Sequence, residues 1–337
     1  MQYRHLGKSP LKVSTLCLGT MMFGDQTDVA EARSIAAHAH EHGVNFIDTA
    51  DVYTAGASES MVGELLQGQR DDWVLATKLG NRMSERPNTM QYSRSWVLRA
   101  CEASLQRLRT DHIDIYYLHR DFPGTDLEEP LRAIAALLQA GKIRYWGLSN
   151  FRGWRIAEAV HMARQLNMPG PVVCQPYYNL LNRQPETEVL PACAYNGIGV
   201  VPYSPIARGV LAGKYLPGGT PDADSRAGRG DKRILETEFR EESLRVAQVL
   251  KAHCDKKGVA LAHFASAWVL AHQAVSAVIA GPRTLAQWQD YLGALDVTLD
   301  AEDEALVNSL VAPGHPSTPG YNDPAYPLEA RTRSVIP

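Results

Sequence analysis

The chain has 337 residues, 45% of them hydrophobic, with a formal net charge of -3. Both signs of charge are interspersed, so there is no basic stripe for nucleic acid and no polybasic anchor for a membrane. A small molecule is therefore the expected partner; self-association into a homo-oligomer stays open.

The first residues, Met1-Gln2-Tyr3-Arg4-His5, lack the apolar core of a secretory signal. No apolar run approaches the roughly 20 residues needed to span a bilayer. The five cysteines (Cys17, Cys101, Cys174, Cys193 and Cys254) are scattered and lack CxxC spacing. That pattern fits reduced thiols and a cytoplasmic location better than a disulfide framework or structural zinc.

In chain order, turn residues at Gly7-Lys8-Ser9-Pro10 predict a short hairpin ahead of the main fold. Short apolar, β-branched runs then predict strands at 16–19, 44–48, 73–78, 113–119, 143–148, 172–175, 198–203 and 277–281. Helical patterns lie between them at 28–42, 93–109, 126–140, 153–167 and 185–196, several ended by a glycine such as Gly43, Gly141 or Gly197. Eight strands, each followed by helical sequence, predict an α/β fold, a (β/α)8 TIM barrel formed by residues 1–337 as one domain. An open doubly wound sheet is the weaker alternative. Two segments depart from the pattern. A long loop at 218–232, after the seventh barrel strand, is rich in Gly, Asp and Arg, and the tail at 313–337 is rich in Pro and Ser. Loops of this length are usually either functional lids or disordered.

In a parallel barrel, reactive groups gather at the carboxyl ends of the strands. There the sequence places Asp48 with Tyr53 beyond it, Lys78, and His119. Taken singly, each has an ordinary structural explanation: a capping aspartate, a loop aromatic, a solvated lysine, a hydrogen-bonded histidine. Together they make a proton-delivery device. Hydride addition to a carbonyl carbon builds charge on oxygen, and a free tyrosine with a pKa near 10 is a weak acid for neutralising it. A lysine cation lowers the cost of tyrosinate, an aspartate holds that lysine, and a histidine donates to the carbonyl oxygen.

At this point the sequence resembles the aldo-keto reductases, and most nearly their bacterial and potassium-channel beta-subunit-like branch. The resemblance runs through Arg4-His5-Leu6-Gly7, Leu18-Gly19-Thr20-Met21-Met22-Phe23-Gly24, Phe46-Ile47-Asp48-Thr49-Ala50, Ala76-Thr77-Lys78 and Tyr117-Leu118-His119. It continues through Gly147-Leu148-Ser149-Asn150-Phe151, Gln175-Pro176-Tyr177-Tyr178-Asn179 and Pro202-Tyr203-Ser204-Pro205. It implies that Tyr53 is the proton donor, assisted by Lys78, Asp48 and His119, in NADPH-dependent reduction of a small carbonyl substrate without a metal.

The resemblance also implies a nicotinamide site. Ser149, Asn150 and Gln175 would bond the carboxamide, Tyr203 would stack on the ring, and Ser204, Pro205 and Arg208 would begin a loop over the pyrophosphate. Gly19, Thr20 and Asp48 join this set. The segment Ile279-Ala280-Gly281-Pro282-Arg283 through Gln287 resembles the dinucleotide-binding end, with Gly281, Arg283, Gln287 and a helix N-terminus suited to a phosphate dianion. This favours NADPH over NADH, although Asp290 and Tyr291 stand where the family often carries Glu and Asn. Met22, Phe23, Phe122, parts of 218–232 and the tail are the expected substrate walls.

Three other readings compete. A hydrolase using Asp48 and His119 lacks a nucleophile or metal at the strand ends. A nicotinamide-binding redox sensor or regulatory subunit with little turnover would use the same cofactor site. His38 and His42 share a helix face, but Glu41 aside no third ligand accompanies them.

Overall fold

A computed structural model describes residues 1–327. An antiparallel hairpin, β1 (Tyr3–His5) and β2 (Lys12–Ser14), precedes eight parallel strands. These are β3 (Leu16–Gly19), β4 (Phe46–Asp48), β5 (Val74–Leu79), β6 (Ile113–Leu118), β7 (Ile143–Ser149), β8 (Val173–Gln175), β9 (Gly199–Val200) and β10 (Val278–Ala280). They form one sheet in the order β10-β3-β4-β5-β6-β7-β8-β9. Backbone bonds from Ser276 N–H to Val200 O at 2.8 Å and from Ile279 N–H to Pro202 O at 3.0 Å join its two ends. The sheet is a barrel.

Helices pack outside it: α1 (Val29–Glu41), α2 (Ala57–Leu65), α3 (Arg94–Leu108), α4 (Glu128–Gln139), α5 (Gly153–Gln165) and α6 (Val189–Asn196). After β9 come α7 (Lys232–Thr237), α8 (Glu241–Lys257) and α9 (Leu261–Ala271), and after β10 come α10 (Leu285–Leu292) and α11 (Ala301–Leu310). Local chemistry sets several ends. Asp28 caps α1 through Glu31 N–H, Ser93 caps α3, and Gly197 ends α6 in the left-handed conformation. Among the described residues no helix is long and apolar enough to cross a membrane.

Side chains alternate strictly across each strand. One set (Cys17, Phe46, Val74 and Ala76, Ile115 and Tyr117, Val173, Val201, Ala277 and Ile279) fills the barrel interior with Leu6 and Val13. The other set, including Leu18, Ile47, Leu75, Tyr116 and Leu148, packs against the helices. The same parity turns Gly19, Asp48, Lys78, His119, Ser149, Gln175 and Tyr203 toward the axis. Each lies two residues beyond an interior residue of its strand, or beyond its neighbour in that register.

The structure shortens the seventh predicted strand from 198–203 to Gly199–Val200. Pro202 lacks an N–H, as does Pro176 on the neighbouring strand, so regular pairing thins out. It persists through Val201 N–H to Cys174 O at 2.9 Å and Tyr203 N–H to Pro176 O at 3.1 Å. The predicted helix at 185–196 splits into a 3-10 turn, Gln184–Glu186, and α6. The 218–232 segment folds back as linked turns, with Asp231 capping α7. The tail pairs near Asn182 and Leu181 and continues over the barrel mouth; its predicted part at 328–337 lies outside the described residues.

The hairpin closes the opposite face. Lys8 N–H bonds Gly197 O at 2.8 Å, and Gly7 (φ +56°) lies so close that an added Cβ would sit 2.2 Å from that oxygen. Gly7→Ala is accordingly expected to lower stability by about 1–3 kcal/mol, read as a reduced urea midpoint at unchanged slope.

Candidate active site

β4 delivers Asp48 to the barrel mouth, and the chain leaves through a tight corner that carries Tyr53. Beyond Tyr53, Thr54 (φ 48°) and Ala55 (φ 52°) are left-handed before Gly56 (φ 95°). Non-glycine residues pay a conformational cost there, so the corner must be held from outside. Ser58 helps hold it, donating to Thr20 O at 2.8 Å, while Thr20 Oγ1 donates to Asp48 O at 3.0 Å.

Lys78, from β5, is fully buried at the centre of the site. Its ammonium donates to the Asp48 carboxylate, to Thr49 O at 2.7 Å and to Tyr53 OH at 3.2 Å. Three N–H groups therefore meet three acceptors, which an ammonium without water requires. Gln175 Nε2 donates to the other Asp48 oxygen at 2.9 Å. Burial opposes the charge on Lys78, but Asp48 and Tyr53 more than compensate and hold the ammonium above its usual value.

Tyr53 departs from the simplest expectation. Burial pushes its phenol above the ordinary value; Lys78 pulls it down without prevailing, and Asp48 opposes that pull. The phenol thus keeps its proton at neutral pH. Because Lys78 donates to the phenol oxygen, the phenolic hydrogen is not spent on that bond.

His119 follows β6, its ring edge-on to Tyr53 with centroids 6.0 Å apart. Burial, then Lys78 and Arg120, hold its imidazole well below the usual value, so it is neutral. Asn81 Nδ2 lies 3.0 Å from His119 Nδ1, and with the amide as donor the ring proton is assigned to Nε2. Sequence reading missed Asn81; its only signal was a polar residue just past the β5 end.

A cavity of about 430 Å³ opens from these groups and is lined by Tyr53, Asp48 and His119 at one end. Gly19, Thr20, Ser149, Asn150, Gln175 and Tyr203 also line it. They are mutually fixed. Ser149 Oγ donates to Gln175 O at 2.9 Å, Asn150 Nδ2 to His119 O at 3.0 Å, and Tyr203 OH to Asn150 Oδ1 at 2.8 Å. The Tyr203 ring stacks on Tyr177 at 5.6 Å. Ser204 and Pro205 continue the wall, anchored by Asn179 Nδ2 donating to Ser204 O at 3.0 Å.

The far end is basic. Lys214, Arg226, Arg229 and Arg283 line it with Gly281 and Gln287. Arg226 pairs with Asp231 at 3.0 Å, and Arg229 donates to Asp224 O and toward Gln26. Arg283 has no side-chain ion pair among the described residues; burial and then Arg229 and Arg226 depress its pKa. Asp290 and Tyr291 also reach the cavity, with Asp290 Oδ1 held 2.8 Å from His263 Nε2.

Arg208 lines the wall, its Nη1 meeting both Glu238 oxygens at 2.6 and 2.8 Å in a buried pair. Three expectations need correction. The α10 N-terminus is largely engaged, with Leu285 N–H on Glu31 Oε1 at 2.5 Å and Gln287 N–H on Thr284 Oγ1 at 3.3 Å. Anion-binding capacity there rests on the arginines. Phe23 is fully buried in the core outside the barrel, because its apolar ring continues the strand–helix packing. Phe122 packs edge-on to Tyr92 at 5.2 Å, drawn there by the Arg120 guanidinium 5.4 Å from its ring. Met22, with Met21 and Tyr326 of the tail, lines the cavity instead. Elsewhere, the His38 and His42 rings stack at 4.0 Å and His40 pairs with Asp72 at 3.2 Å.

Residues 15–312 match the family model described as Aldo/keto reductase family. The chain belongs to the aldo/keto reductase family. It is 40% identical over 304 residues to a protein of Arabidopsis thaliana described as a probable voltage-gated potassium channel subunit beta, covering 88% of this chain and 92% of that one. A protein of Oryza sativa subsp. japonica with the same description is 38% identical over 88% of this chain and 92% of its own length. An uncharacterized oxidoreductase, YrpG, of Bacillus subtilis (strain 168) is 37% identical over 333 residues, 95% of this chain and 99% of its own. Family and relatives place the chain among oxidoreductases.

In a ¹⁵N-labelled sample, His119 is expected to show a neutral ring with its proton on Nε2 from pH 8 down through pH 6. Asn81→Ala is expected to mix the two tautomers; a His119 titrating near 6.5 in the native chain would contradict this environment.

Proposed function

We propose that the chain reduces an aldehyde or ketone to the alcohol with NADPH, Tyr53 giving its proton to the carbonyl oxygen. The observation that carries this reading is the direction of one hydrogen bond: Lys78 donates to Tyr53 at 3.2 Å, leaving the phenol's own hydrogen for a ligand. A bound dihydronicotinamide supplies the hydride that reaches the carbonyl carbon.

The residues do the rest. Neutral His119 donates from Nε2 and fixes the carbonyl oxygen beside Tyr53. As the phenol releases its proton, negative charge grows next to an ammonium already in place, so the attraction strengthens on the way to the transition state. Asp48 and Gln175 keep that ammonium from moving. Low water content around Lys78 increases the benefit.

The donor set fits the cofactor. Ser149, Asn150 and Gln175 would hold its carboxamide, Tyr203 would face the ring, and Gly19, Thr20, Ser204 and Pro205 would flank the middle. Arg283, crowded by Arg226 and Arg229, supports NADPH over NADH, because an additional phosphate dianion relieves their repulsion. Met22 and Tyr326 favour a substrate with apolar or aromatic substituents.

A second reading, a nicotinamide-binding regulatory subunit with little turnover, is favoured by the descriptions of the two plant relatives. Quenching of NADPH fluorescence on binding is common to both readings; loss of nicotinamide absorbance with a panel of aldehydes and ketones belongs to the reductase alone. Tyr53→Phe is expected to bind NADPH normally while turnover falls about 100-fold or more. Arg283→Ala is expected to weaken NADPH by on the order of ten-fold, with a smaller effect on NADH, measured by fluorescence titration. Equal losses for the two coenzymes would remove the phosphate assignment.

A further inference from the structure

Asp51 lies between Asp48 and Tyr53 in sequence, yet it has no place in the proton-delivery set. Its carboxyl is 1% exposed, and neither oxygen has a well-formed hydrogen bond among the described residues. The neighbouring Val52 amide offsets the burial only in part. The Asp51 N–H donates to Lys78 O at 3.1 Å, tying the residue to the strand that carries the ammonium.

The surrounding cations are already committed. Arg107 of α3 donates through Nε to Glu59 Oε2 at 2.6 Å, and Thr77 Oγ1 donates to Glu59 Oε1 at 2.6 Å. Glu59, on α2, is fully buried and is the nearby carboxylate that opposes an Asp51 charge. Lys78 spends its three donors on Asp48, Thr49 and Tyr53. The remaining groups that feel Asp51 are phenols: Tyr53, Tyr92, bonded to Arg120 O, and Tyr116 of β6, whose buried hydroxyl has no partner. An ionised Asp51 would be a second buried carboxylate beside one guanidinium that Glu59 already holds. Such a group keeps its proton.

We propose that Asp51 is a positioning residue for the Lys78–Tyr53 pair, acting through its proton: neutral, it leaves the ammonium opposed by Asp48 alone, and ionised, it adds negative charge behind the phenol. The inference rests on Tyr53 as proton donor. Burial, then Glu59, raises the Asp51 pKa to about 8, within working reach of an enzyme. Above that pH, Tyr53 holds its proton more tightly. Carbonyl reduction keeps its donor to higher pH, and the reverse oxidation, which needs phenolate, sets in later. Linkage gives a second consequence. The folded chain binds a proton that the unfolded chain has released between pH about 4 and 8, so stability falls as pH rises through that window.

The test uses the full chain labelled with [4-¹³C]aspartate. Infrared difference spectra between pH 6 and 9.5 are expected to show a protonated-carboxyl band that shifts with the label, vanishes near pH 8 and is missing in Asp51→Asn. Urea midpoints of the native chain are expected to fall relative to Asp51→Asn from pH 5 to 8. With NADPH and a turned-over aldehyde, Asp51→Asn is expected to move the alkaline limb of reduction down by half a pH unit, about a three-fold change in rate on that limb. If Asp51→Asn does not fold, Glu59→Gln, which frees Arg107, is expected to lower the band's midpoint by a unit or more. No labelled band, an unmoved midpoint in Glu59→Gln, or coincident limbs in two active enzymes would each overturn the proposal. An intact band with no turnover at any pH would instead overturn the reductase reading, and the role of Asp51 with it.

Discussion

An ammonium group cut off from water must be met by acceptors on every N–H, and in this barrel that requirement organises the mouth. Lys78 needs the Asp48 carboxylate, the Thr49 carbonyl and the Tyr53 oxygen at once. The chain after β4 supplies all three by turning sharply at Ala50–Tyr53, where Tyr53 N–H bonds Ala50 O at 3.2 Å. Buried ion pairs are seldom a net gain in stability, because desolvation offsets the attraction. In the proposed reduction the pair is instead an electrostatic fixture, kept ready for a charge that develops elsewhere.

Much of this was legible in the sequence because barrel strands obey a period of two. Once Phe46, Ala76 and Tyr117 are set inside, Asp48, Lys78 and His119 must face the axis, and a parallel barrel collects them at one rim. Proton chemistry then assigns them compatible tasks. What the sequence hid was competition for partners. Nothing near Arg208 in the chain announces its pairing with Glu238, and the α10 N-terminus looks vacant until Glu31 arrives from α1. Both partners are distant in the chain and leave no local trace.

Shape was hidden for a related reason. Phe23 sits next to Met22 in sequence, but adjacent residues diverge in direction, and one is core while the other is wall. Tyr326 reaches the cavity only because the tail crosses the mouth. A turn at 323–326 is gripped from two sides: Arg233 meets Asp323 at 2.6 Å, and Arg120, the residue after His119, donates to Ala325 O at 2.8 Å. No periodic pattern marks such a crossing. The tautomer set by Asn81 was equally invisible, since it depends on one contact between the loops after β5 and β6.

The hairpin at the other face has an influence beyond packing. With Leu6 and Val13 stoppering the floor, the barrel is a blind well. Among the described residues, solvent that would rehydrate the phenol after the proposed proton transfer must arrive through the same opening as the proposed reactants. Whatever occupies that opening therefore meters the water as well, and the two traffics cannot be tuned apart.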